Sequence, residues 1–172
     1  MGRVQWRGPI GHGLQPKAIA CTSVAPELPP FDADLAAAIL RAAPMEGLPA
    51  WLGMQTAEVG PGRMVVNVEV RPELLTPFGN LHGGVMAGLV DHILGSVLYP
   101  LLRRGQWAAT TEFKLNYLAP VRAGTLQAEA TVVTMTNRTA VVRAEVRNDG
   151  TLACIAQGTL LVVDPKAKSA PS

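Results

Sequence analysis

Apolar positions along this chain fall into two periods. Runs rich in β-branched and aromatic residues occupy Trp51 to Val59, Arg63 to Val70, Trp107 to Leu118, Thr125 to Thr136, Thr139 to Arg147 and Leu152 to Val163. Each reads as a strand. Their connectors are turn chemistry: Gly60-Pro61-Gly62, Pro120 to Gly124, Asn137-Arg138 and Asn148-Asp149-Gly150. The last is the strongest hairpin signal in the chain, because Asn, Asp and Gly tolerate the positive φ of a tight hairpin turn. One long segment breaks the pattern. From about Gly83 to Tyr99, limited by Pro100, apolar residues lie nearly all round a helical projection, which predicts a helix buried on most sides. A shorter helix over 32–43 is predicted through Leu35, Ala38, Ile39 and Ala42, N-capped by Asp32 or Asp34 and stopped by Pro44.

One long helix among about six hairpin-linked strands defines an α+β domain over 31–164, with an antiparallel sheet curved around the helix. Residues 1–30 are rich in Gly and Pro without an apolar period and read as a flexible extension; 165–172 is a polar tail. Gly88 and Gly95 lie on or near the face of Asp91, and small residues there suit close approach by a second backbone, such as the same helix of another subunit.

Composition narrows the chemistry. A chain of 172 residues, 48% hydrophobic, can bury a core without disulfides or metal. Its net charge of +2 and scattered arginines give no reason to expect nucleic acid. The two cysteines are Cys21 and Cys154, the latter in an apolar strand run that suits a buried thiol. They and three histidines have no metal-ligand spacing, so a metal site is not expected. No run has the roughly 18 apolar residues of a membrane span, and the N-terminus lacks signal-peptide order, so a soluble cytoplasmic protein is expected.

The candidate chemistry gathers on the long helix. Gly83-Gly84 at its start offers backbone N–H groups without intrahelical partners, open to close approach and favoured for negative charge. An oxyanion hole has these properties; a tight turn alone would also use the glycines. Asp91 is the only acid between Glu73 and Glu112. A carboxylate in an apolar helix is costly unless paired, and it suits a base that activates water. Gly83 and Asp91 are eight residues apart, roughly 12 Å along the axis at 1.5 Å per residue. They cannot reach one carbonyl from one straight helix. If both are catalytic, the site combines Gly83 of one chain with Asp91 of another, and the protein is an obligate homodimer.

The segment Leu74 to Asp91, with its His82-Gly83-Gly84 followed by Asp91, together with Tyr117-Leu118-Ala119-Pro120, resembles the PaaI-type (phenylacetate-degradation-like) acyl-CoA thioesterases of the hotdog superfamily. The resemblance runs from about Leu48 to Val163. It implies a helix wrapped by an antiparallel sheet, dimers that often pair into tetramers, and hydrolysis of an acyl-CoA thioester at the subunit interface without a cofactor. By that likeness the Gly83 N–H polarises the thioester carbonyl, and Asp91 of the partner chain is general base or nucleophile. A Ser or Thr on the following strand orients the water; the matching position is Thr110. Simple alternation puts Thr111 on the apolar face with Phe113, Leu115 and Tyr117, so Thr110 fits only with a bulge or at the strand's start. Where many members carry Asn six residues before the motif histidine, this chain has Thr76, a departure that bears on rate and substrate choice. Asn80 is a substitute or a turn former. His82 shapes the helix entry, as side chain or backbone, with a catalytic imidazole as the alternative; His82 and Gly84 count with Thr76 and Asn80 as substrate-binding candidates. His92, about 100° round the helix from Asp91, suits packing or an interface. Arg138 and Thr139 occupy a turn where related proteins contact CoA, and Arg suits phosphate. Arg103-Arg104 complement the helix dipole.

Two other classes fit the fold. One is a non-catalytic acyl-CoA-binding module, which Asp91→Asn discriminates: unchanged thioester turnover in that variant would sink the catalytic reading. A hotdog hydratase acting on enoyl-thioesters would need a catalytic His with an acid partner, for which His82 and Asp91 are a poor spacing; consumption of enoyl-CoA absorbance would reveal it.

Overall fold

The computed structural model describes residues 27–42 and 46–165. Most of the 1–30 extension, the tail beyond Pro165, Cys21 and Pro44 therefore lie outside the described residues. Helix α1, Ala33–Arg41, is capped by Asp32 rather than Asp34, its carboxylate accepting from the Leu35 N–H at 2.9 Å. Then come α2 (Leu48–Leu52), β1 (Gln55–Gly60), β2 (Arg63–Glu69), α3 (Gly83–Ser96), β3 (Trp107–Tyr117), β4 (Thr125–Met135), β5 (Thr139–Asn148) and β6 (Thr151–Val163). The six strands form one antiparallel sheet in the order β1-β2-β4-β5-β6-β3.

Helix α3 lies across one face of this sheet and contacts β2 through β6. Its Met86, Leu89, Val90, Ile93 and Leu94 are buried against alternate positions of the strands, such as Ala128, Ala130 and Val132 of β4 and Ala140, Val142, Ala144 and Val146 of β5. Alternation puts these on one face, and the alanines let the helix sit close. Truncating a fully buried member such as Leu89 to Ala costs about 2–5 kcal/mol. The hotdog arrangement is thus present. Gly83 to Leu101 is long and apolar enough to cross a membrane by composition, contrary to the expectation that no run qualifies. In the fold it is the core helix and the turn that follows it.

Three expectations are corrected here. Trp51 and Leu52 belong to α2, not to a strand, which begins only at Gln55. Pro49 in the first turn and Gly53 in the left-handed conformation (φ 69°) set a short helix there. Helix α3 ends at Ser96 and tightens into a 3₁₀ turn over Tyr99–Leu101, with Pro100 inside that turn. Gly88 faces α2 of the same chain: a Cβ on it would meet Leu48 and Leu52 at 3.5–3.6 Å. The Asn148-Asp149-Gly150 turn has positive φ at Asp149 (45°) and Gly150 (86°), as a tight hairpin between right-twisted strands requires.

Candidate active site

The start of α3 is built by a loop folded back on itself. The Thr76 N–H donates to the Asn80 carbonyl at 2.7 Å, and the Gly79 N–H to the Thr76 carbonyl at 2.9 Å. A left-handed Gly79 (φ 77°) closes the turn. The loop's exit is anchored twice, by the Leu81 N–H on the Val121 carbonyl (2.7 Å) and the His82 N–H on the Leu74 carbonyl (2.9 Å). His82 is the N-cap: its Nδ1 accepts from the Gly84 N–H at 2.9 Å. That bond requires an unprotonated Nδ1.

Of the two glycine N–H groups, one is therefore spent and one is not. The Gly84 N–H is held by His82, while among the described residues the Gly83 N–H donates to no protein group. Gly83 lines an open groove of about 430 Å³ with Asn80, Leu81, Met86, Tyr117, Leu118, Ala119, Pro120 and Val121. The Asn80 Oδ1 is buried without a hydrogen-bond partner among the described residues. Such an atom carries an unmet desolvation cost, and here it sits in a residue of the groove wall. Tyr117, which the sequence pattern marks only as part of a motif, donates its hydroxyl to the Gly83 carbonyl at 2.9 Å. Its ring also occupies the space a Cβ on Gly83 would need, with Oη 2.9 Å and Cζ 3.2 Å away.

Asp91 lies two turns further along α3, and its side chain is exposed in the single chain. The expectation of a carboxylate buried in an apolar helix is corrected: α3 is not buried all round, and Asp91 marks its open stripe. His92, one position on, is half-buried and within 3.3 Å of the Ser96 hydroxyl. Burial pushes its pKa below the usual histidine value, partly opposed by the Asp91 charge.

Thr110 is on the helix-facing side of β3. Pairing between β3 and β6 slips between Thr110 and Glu112, so Thr110 opposes Leu160 while Glu112 opposes Thr159. Cross-strand partners share a face, and Leu160 is fully buried against the core. The bulge adds one residue and brings Thr110 onto the face of Phe113, Leu115 and Tyr117. Thr111 is the odd residue out, its hydroxyl donating to the Thr159 carbonyl at 2.8 Å.

One chain does not bring all candidates together. Thr76, Asn80, His82, Gly83 and Gly84 cluster at the Tyr117 end of β3. Arg138 and Thr139 lie at the other end: the Arg138 carbonyl accepts from Val162, which pairs with Ala108. Nine residues of strand separate Ala108 from Tyr117, roughly 30 Å. The Thr139 hydroxyl is engaged with that of Thr136, 3.1 Å away. Cys154 is buried, and burial raises its thiol pKa, which leaves it unreactive.

Known proteins resemble this chain in sequence and fold. The family model described as thioesterase superfamily matches residues 78–155. A putative esterase of Haemophilus influenzae is 30% identical over 115 residues, covering 66% of this chain and 83% of that protein. The 1,4-dihydroxy-2-naphthoyl-CoA hydrolase of Listeria monocytogenes is 29% identical, covering 67% and 95%. Among solved structures, a mutant of the phenylacetic acid degradation protein PaaI from Thermus thermophilus superposes with a TM-score of 0.60 at 32% identity, covering 66% of this chain and 96% of that one. The chain belongs to the thioesterase superfamily, and it is a thioester hydrolase of the hotdog fold.

Proposed function

We propose that the protein hydrolyses acyl-CoA thioesters in a site shared between two copies of the chain. The observation that carries this reading is the pairing of an unspent Gly83 N–H beside a groove with an exposed Asp91 on the same helix. The two are roughly 12 Å apart along α3, so each completes the other only across a two-fold axis. Strand β3 supports the dimer: it is an edge strand of 11 residues with exposed Trp107 and Tyr117, followed by exposed Leu118. A long edge left open, with aromatic side chains exposed at both ends, invites pairing with another edge.

In this mechanism the thioester carbonyl oxygen accepts from the Gly83 N–H, which stabilises the charge that develops on it. Asp91 of the partner chain takes a proton from water as the water oxygen bonds to the carbonyl carbon, with Thr110 orienting that water. The C–S bond then breaks, and the CoA thiolate regains the proton. The free acid and CoA leave. If Asp91 is instead the nucleophile, its carboxylate forms a mixed anhydride that water opens. Single turnover in ¹⁸O-water tests the second route: label found in Asp91 establishes an anhydride opened at the Asp91 carbonyl, whereas general-base attack labels only the free acid. Asn80 and Thr76 contribute hydrogen bonds beside the reacting centre, Arg138 and Thr139 of the partner chain contact the CoA moiety, and no resident cofactor takes part.

The test is a screen of acyl-CoA chain lengths and aryl-CoAs followed by thiol release, run on wild type and Asp91→Asn. Loss of a general base lowers kcat about 10²–10⁴-fold. Asp91→Asn turnover equal to wild type would remove Asp91 from the mechanism.

A further inference from the structure

Two consecutive glycines are a poor foundation for a catalytic dipole. Glycine is the most mobile backbone unit, and an oxyanion donor works only if its direction is fixed before the charge arrives. The structure holds this segment at every peptide. The His82 N–H is tied to the Leu74 carbonyl, and the His82 carbonyl accepts from the Val85 N–H at 2.9 Å. The next peptide, between Gly83 and Gly84, is gripped at both ends: its carbonyl by the Tyr117 hydroxyl and its N–H by His82 Nδ1, each at 2.9 Å.

We infer that Tyr117 and His82 act as a two-sided clamp on the Gly83–Gly84 peptide, positioning residues that aim the Gly83 N–H at the substrate carbonyl. The inference rests on the proposed role of that N–H. Both side chains act on the backbone: the Tyr117 hydroxyl donates to the Gly83 carbonyl and His82 Nδ1 accepts from the Gly84 N–H. His82, with Nδ1 committed to the Gly84 N–H, is an acceptor for backbone and not a base for water. Tyr117 reaches Gly83 from β3, 34 residues away, and thereby ties the helix start to the sheet. The fit is close: a Cβ at position 83 would lie 2.9 Å from the phenol Oη, so the ring or the helix start would have to shift to admit one.

The test compares Tyr117→Phe, His82→Ala and His82→Asn by steady-state kinetics on the best acyl-CoA, with thermal melts of each variant. Tyr117→Phe keeps the ring and loses the hydroxyl. Its kcat is expected to fall about tenfold with KM within about twofold, less than the loss of an oxyanion donor itself. His82→Ala should fall similarly, and His82→Asn should recover most of the loss because Asn is also a good N-cap. Wild-type kcat in a folded Tyr117→Phe overturns the clamp, as does His82→Asn performing no better than His82→Ala. Should Tyr117→Phe fail to fold, the His82 pair decides alone. Asp91→Asn, assayed alongside, separates the failures. If it is inactive while the clamp variants are fully active, only this inference falls. If wild type releases no thiol from any acyl-CoA, the functional reading falls and the clamp with it.

Discussion

Single residues carry the chemistry, and they differ in how visible they are in the sequence. A lone acid in an apolar run and a glycine pair eight residues earlier are legible without coordinates. The division of labour between the two glycines is not. Only geometry shows the Gly84 N–H spent on His82 and the Gly83 N–H free among the described residues. Tyr117 was hidden for the same reason, because a contact across 34 residues leaves no local spacing to read. Gly83→Ala follows from this packing. The added methyl meets Tyr117 below 3 Å, displacing the ring or the helix start, and kcat should drop about 10²-fold or more with the melting temperature lowered. Thr110 and Thr111 make a sharper pair. Thr110→Val should lower kcat about tenfold through a disordered water. Thr111→Val loses its bond to the Thr159 carbonyl, costs about 1 kcal/mol of stability and leaves kcat near wild type. Steady-state kinetics and melts on both variants check the assignment; the reverse pattern would move the water-orienting role to Thr111.

Elements set where those residues point. Alternation alone put Thr110 on the wrong face of β3, and the bulge between Thr110 and Glu112 corrects it. A bulge has no dependable sequence signature, so the sequence could name the remedy but not establish it. Trp51 and Leu52 misled differently: an apolar pair before a strand reads as part of it unless Pro49 and Gly53 are weighted as helix punctuation. Helix α3 itself was legible from its apolar run, but its open stripe at Asp91 was not. The half-buried His92 on that helix couples stability to pH. Its folded pKa is lowered by burial, so its contribution is complete above the unfolded value near 6.5 and declines as pH falls through that value toward the folded one. Between about pH 7.5 and 5, wild type should lose melting temperature more steeply than His92→Gln. Parallel slopes would show that His92 does not titrate on unfolding. The arginine-paired Glu129, whose carboxyl is held below its ordinary value by Arg63, acts in a separate window at lower pH.

The whole molecule is where the account makes its largest commitment. One chain supplies a fold and a groove, with Gly83 beside Tyr117 at the start of α3 and Asp91 exposed roughly 12 Å further along that helix; the proposed mechanism needs both at one carbonyl. Arithmetic on helix rise suggested that separation from sequence, and the arrangement of α3 against β3 gives it form. The most direct measurement is complementation between inactive variants. Gly83→Ala and Asp91→Asn are purified separately, dissociated, mixed in equal amounts and reassociated, and thiol release from acyl-CoA is followed. A site shared between chains gives heterodimers with one intact site in two. Statistical mixing then restores about a quarter of wild-type activity. A mixture no more active than its parents, with subunit exchange confirmed by mass spectrometry, would contradict the shared site.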